Sequence, residues 1–69
     1  MFDIITTIAL NSAPNNQLKQ NIKSIQKNGI VDKCDIHFLW ECLDNAKIQP
    51  ELFHDIVLAM NIYQEEIIK

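Results

Sequence analysis

The sequence contains no arginine and a single glycine, Gly29. Without arginine there is no bidentate fork for guanine or phosphate and no arginine finger. One glycine cannot build a phosphate-cradling or dinucleotide-binding loop, because such loops need several to bring backbone N–H groups close to a ligand. Long apolar runs are also missing, so no membrane span and no membrane partner are expected. The N-terminal stretch MFDIITTIAL carries Asp3 where a signal peptide needs positive charge, and Thr6 and Thr7 break its apolar run, so no targeting segment is expected either. What remains is a chain of 69 residues, 48% hydrophobic, with a formal net charge of −3. That length suits one helical domain over residues 1–69, and a small one, which removes only about 60% of its unfolded surface from water. Burial at this size roughly balances the entropy of ordering, so such a chain completes its core with disulfides, a metal, very good helix packing or a second copy of itself.

The two cysteines, Cys34 and Cys42, fall within one helical pattern. Eight steps of an α-helix separate their Cα atoms by about 12 Å, whereas a disulfide needs less than about 7 Å. Free thiols favour a reducing compartment, and a cytoplasmic location is the expectation.

Periodicity predicts an all-α fold, a small bundle of three to four short helices in which residues 32–69 form a helical hairpin. The last helix starts at Pro50, whose missing N–H has no intrahelical partner there, and Glu51 complements the positive end of the dipole. Ile48 and Phe53 stand at the two positions of a hydrophobic staple. The preceding helix has Asp32 as N-cap, Asp35 in its first turn and Val31 with Ile36 as a second staple pair; Ile36, Leu39, Leu43 and Ala46 then give about four turns. In NNQLKQNIKSIQKNGI, Leu18, Ile22 and Ile25 form a narrow apolar stripe. Gly29 follows as a left-handed helix ending with Ile30 placed to contact Ile25. The segment FDIITTIAL is ambiguous, since isoleucine and threonine suit strands while Phe2, Ile5 and Ala9 keep helical spacing. A lone strand would have no partner, which favours a helix ended at Asn11-Ser12-Ala13-Pro14. Leu39, Leu43, Ile56, Met60 and Tyr63 are the expected core of the hairpin.

Four residues could ligate a soft or borderline metal: Cys34, His37, Cys42 and His54. At 100° per residue Cys42 lies about 140° from His37, so the four do not converge and no metal or other cofactor is expected. Cys34 with His37 is the one local thiol–imidazole pair, but Asp32 and Asp35 oppose the thiolate, and no flexible loop shapes a pocket around it. Catalysis is not expected.

Charge divides the chain. Residues 1–31 carry +2, from three lysines against Asp3, while residues 32–69 carry −5, from eight acids against three lysines. Lys19, Lys23 and Lys27 recur every four residues and make one basic stripe, the basis for an alternative reading as a small DNA-binding transcriptional regulator. Three lysines without arginine or an adjacent aromatic are a thin footprint for nucleic acid, so that reading ranks second.

The last helix holds the anomaly. With Glu51 at 0°, Leu52, Ile56, Ala59, Met60, Tyr63 and Ile67 occupy an arc of about 80–180°, an ordinary core stripe. Leu58 and Ile62 point the opposite way, and Val57 and Ile68 widen the apolar surface. Such a helix is either central in its bundle or presents one side to a partner. Phe38 and Trp40 flank the core stripe of the preceding helix on opposite edges, where large aromatics serve as interface anchors or wrap a small core. The expected function is a small acidic, non-catalytic protein-interaction module of the inhibitor, immunity-type, regulatory-subunit or chaperone-like kind. Its expected partner is another protein or a second copy in a homodimer, bound through Leu58, Ile62, Val57, His54, Glu65, Phe38 and Trp40.

Overall fold

The computed structural model describes residues 1–68 as four helices, α1 (Phe2–Ser12), α2 (Asn16–Asn28), α3 (Lys33–Leu43) and α4 (Pro50–Ile68), with no strand among them. The ambiguous N-terminal segment is helical. Thr6, the β-former at its centre, is buried, and its hydroxyl donates to the carbonyls of Phe2 and Asp3 at 3.1 and 3.2 Å. A buried hydroxyl satisfied by its own preceding turn costs the core nothing in unpaired polarity. Ala13, extended at φ −62° and ψ 127°, ends α1 ahead of Pro14.

The caps follow the local chemistry. Asn15 Oδ1 accepts from the Leu18 N–H at 2.9 Å to open α2, and Asp32 Oδ1 accepts from Cys34 N–H at 2.9 Å to open α3. Asp35 reaches back and accepts the Val31 N–H at 2.8 Å, one residue beyond the usual capping-box donor. The Val31–Ile36 staple does not close: this bond orients Val31 outward, 69% exposed, while Ile36 is buried. Phe53 is likewise 39% exposed, and Ile48 alone of that pair packs on the core.

Gly29 ends α2 at φ 79° and ψ −176°, with its N–H donating to the Ile25 carbonyl at 2.8 Å. That ψ is not the left-handed helical value expected of a Schellman ending, but an extended mirror region open essentially to glycine alone. α3 stops at Leu43, a turn earlier than the spacing of Ala46 suggests. Asn45 and Ala46 N–H groups donate three residues back, to Cys42 and Leu43, and the Asn45 amide donates to the Glu41 carbonyl at 2.9 Å. These tighter bonds use the carbonyls that a further α-turn would need.

α1, α2 and α3 pack pairwise on one another, and α4 is added on α3, reaching α1 through an edge-to-face pair of Phe2 and Tyr63 with ring centres 6.1 Å apart. α3 is therefore the shared helix. Its buried residues Ile36, Leu39, Cys42 and Leu43, with Phe38 and Trp40 half-buried at the margins, cover an arc of about 200° on a helical wheel. Of the expected hairpin core, Leu39, Leu43, Ile56 and Met60 are buried. Tyr63 is only half-buried, packed against the margin of the core with its ring edge-to-face on Phe2. The Cα envelope measures 31 × 28 × 16 Å, and a depth of 16 Å holds two helix layers and no more. Every helix thus keeps an outer face.

Two substitutions test this packing. Leu43→Ala should lose about 2–5 kcal/mol, a large share of the roughly 3.5–10 kcal/mol that a chain of this length holds at ~0.05–0.15 kcal/mol per residue, so the variant should melt far below wild type by circular dichroism. At Gly29 a methyl group would meet no atom within 4 Å, so Gly29→Ala should lose about 1–3 kcal/mol from backbone strain alone, read as a lowered urea midpoint with an unchanged slope.

Candidate protein-interaction surface

α4 lies at one side of the slab, and its wheel separates into an inward and an outward half. Ile56 and Met60 are fully buried against α3, with Leu52, Ala59, Tyr63 and Ile67 half-buried beside them. On the opposite face Leu58 is 51% and Ile62 56% exposed, one helical turn apart. Single exposed aliphatics are common on protein surfaces. Two in adjacent turns on the outer face of one helix make a continuous apolar ridge, and no other helix lies over it. Val57, half-buried, and Phe53 extend the apolar surface along one flank toward the core stripe. Ile68, which the wheel adds to that flank, has its side chain outside the described residues.

His54 and Glu65 are exposed at the border of the ridge, as the wheel places them. Phe38 and Trp40 are elsewhere: both are half-buried on α3 and pack against the core, so they wrap its margins and are not part of the ridge. Three acidic residues also belong to this surface. Glu51, Asp55 and Glu66 are all exposed, at about 0°, 40° and 60° on the same wheel that puts Leu58 near 340° and Ile62 near 20°. With Glu65 they place four carboxylates around the ridge; Lys69, four positions after Glu65, lies outside the described residues.

Thiols and imidazoles do not assemble into a second site. Among the described residues no group of three or more histidine, cysteine and acidic side chains is arranged to hold a metal ion. Cys34 is exposed and Cys42 buried, and both are free. The His37 Nε2 lies 2.7 Å from Glu41 Oε1 one turn on, so its imidazole is engaged along α3 and away from Cys34. Burial raises the Cys42 thiol pKa above its ordinary value, with the Glu41 charge adding in the same direction. A buried, protonated thiol is chemically quiet.

Lys19, Lys23 and Lys27 are exposed together on the outer face of α2, and the first two line an open depression with Leu10 and Asn11 of α1. A smaller hollow of about 80 Å³ lies between Lys33, Ile36, Gln64 and Ile67. Ligand pockets usually occupy about 300–1,000 Å³, so the hollow is too small for one. Among the described residues no helix is long and apolar enough to cross a membrane. Compared with known proteins, the chain matches no family model, no curated protein and no solved structure.

The thiols give a prediction with a definite sign. Burial also raises the Tyr63 hydroxyl, with Glu66 contributing, so the folded chain holds both protons more tightly than the unfolded chain does. The stability tied to these groups is complete below the thiol's ordinary value of 9.0 and is lost as pH rises beyond it. Urea midpoints should therefore fall between about pH 8 and pH 10.5, and the fall should shrink in Cys42→Val. At neutral pH iodoacetamide should modify Cys34 in the native protein and Cys42 only after denaturation, as peptide mass mapping would show.

Proposed function

We propose that this protein is a small acidic, non-catalytic interaction module that binds a partner protein through the outer face of α4. The observation that carries this reading is the Leu58–Ile62 ridge, exposed on the outer layer of a slab only two helices thick. Instability of the monomer is not needed as a motive. The chain's accessible surface of 4684 Å² is close to the ~4,450 Å² typical of a monomer of this mass, so the core is about as complete as size allows. Such a module acts by covering or bridging its partner, as inhibitors, regulatory subunits and chaperones do. A reducing, cytoplasmic setting suits its two unbridged thiols.

The DNA-binding alternative rests on the lysine stripe of α2. Its weight is limited by the number of cations: three phosphate contacts release few counterions and leave binding sensitive to modest salt.

Leu58→Asp combined with Ile62→Lys tests the reading, because both sites are half or more exposed and the variant should lose less than about 1 kcal/mol and stay helical. Partner capture from cells that make the protein should be abolished in this variant and retained in Lys19→Gln/Lys23→Gln/Lys27→Gln. The reverse pattern, or retention on a heparin column beyond about 0.3 M salt, would favour the nucleic-acid function instead.

A further inference from the structure

The chemistry around the ridge restricts what can cover it, and this step rests on the reading of α4 as the binding face. Leu58 and Ile62 stand in the middle of the exposed face, with Glu51, Asp55, Glu65 and Glu66 on the same side of the helix. Among the described residues none of these four carboxylates has an ion-pair or hydrogen-bond partner; the salt bridge formed there joins His37 to Glu41 on α3. The face is thus an apolar strip flanked by four carboxylates that form no salt bridge among the described residues.

A second copy is a poor occupant of such a face. Packed antiparallel across a twofold axis, with Leu58 against the copy's Ile62, α4 brings Asp55 opposite Glu65 twice, while Glu66 comes opposite His54. Packed parallel, every acid meets itself. The parallel arrangement, and the Asp55–Glu65 pairs of the antiparallel one, place like charges at the rim of an interface between chains that each carry −3, so a second copy gains less from this face than a cationic partner does. Head-to-tail pairing with α2 does not help. Its outer face offers Lys19, Lys23 and Lys27 among Asn16 and Gln20, with only the half-buried Leu10 of α1 beside them to meet the ridge. An anionic membrane or nucleic acid is repelled by the same carboxylates.

We propose that the outer face of α4 receives a cationic amphipathic helix of another protein, whose apolar stripe covers Leu58 and Ile62 and whose flanking lysines or arginines meet Glu51, Asp55, Glu65 and Glu66. The apolar contact supplies the desolvated centre, and the rim charges select the partner and speed encounter. The charge complement is what distinguishes this occupant from any other exposed helix face.

A phage-displayed library of 20-residue helices with a fixed leucine stripe, and flanks randomised among lysine, arginine, glutamine and glutamate, tests it with the intact protein as bait. Selected clones should be enriched in lysine and arginine at the flanks. Their synthetic peptides should bind at least about tenfold more weakly to Glu51→Gln/Asp55→Asn/Glu65→Gln/Glu66→Gln than to wild type, and should weaken by a similar factor between about 0.05 and 0.3 M salt. Binding should vanish in Leu58→Asp/Ile62→Lys, with circular dichroism confirming that both variants remain helical. Clones that need Leu58 and Ile62 but show no charge preference would overturn the cationic partner while leaving the binding face intact. The same holds if no clone is selected and sedimentation shows a dimer lost in Leu58→Asp/Ile62→Lys. Selection of nothing, from a chain that sediments as a monomer, would remove both the partner and the face.

Discussion

The structure depends on the wide apolar arc of α3. Ile36, Leu39, Cys42 and Leu43 are all buried within eleven residues, and Phe38 and Trp40 close the margins of the arc. One helix can then serve three neighbours: α1 and α2 on one part of the arc, α4 on another. A helix with a conventional narrow stripe would support one or two.

Because α3 occupies the middle, α4 cannot. Its inward stripe is satisfied by α3 and by the Phe2–Tyr63 contact with α1, and its outer face is left to solvent. The exposed Leu58 and Ile62 are thus a consequence of the order of packing and not a defect in it. The carboxylates beside them set like charges against one another when two copies approach on this face.

The charge difference between the halves of the chain becomes spatial in the fold. The three lysines of the N-terminal half stand on the outer face of α2, while four of the eight acids of the C-terminal half stand on the outer face of α4. No salt bridge among the described residues joins the two sets. The polarity is therefore available to partners and is not spent on holding the molecule together.

Much of this was written locally in the sequence. Asp32, Pro50 and Gly29 mark helix ends by chemistry confined to one turn, and the inward stripe of α4 is visible as soon as a 3.6-residue period is assumed. The outward direction of Leu58 and Ile62 was legible in the same way, as was the angle of the acids beside them. Whether that outward side met another helix or water was not, because periodicity orients side chains about their own axis and says nothing of which helix occupies the centre. Only the packing of three helices on α3 decided it. The same limit explains Val31, Phe53 and Tyr63, whose local patterns promised burial: a staple or a stripe names the residues that can be covered, and the tertiary arrangement determines which of them a two-layer bundle of this size can reach.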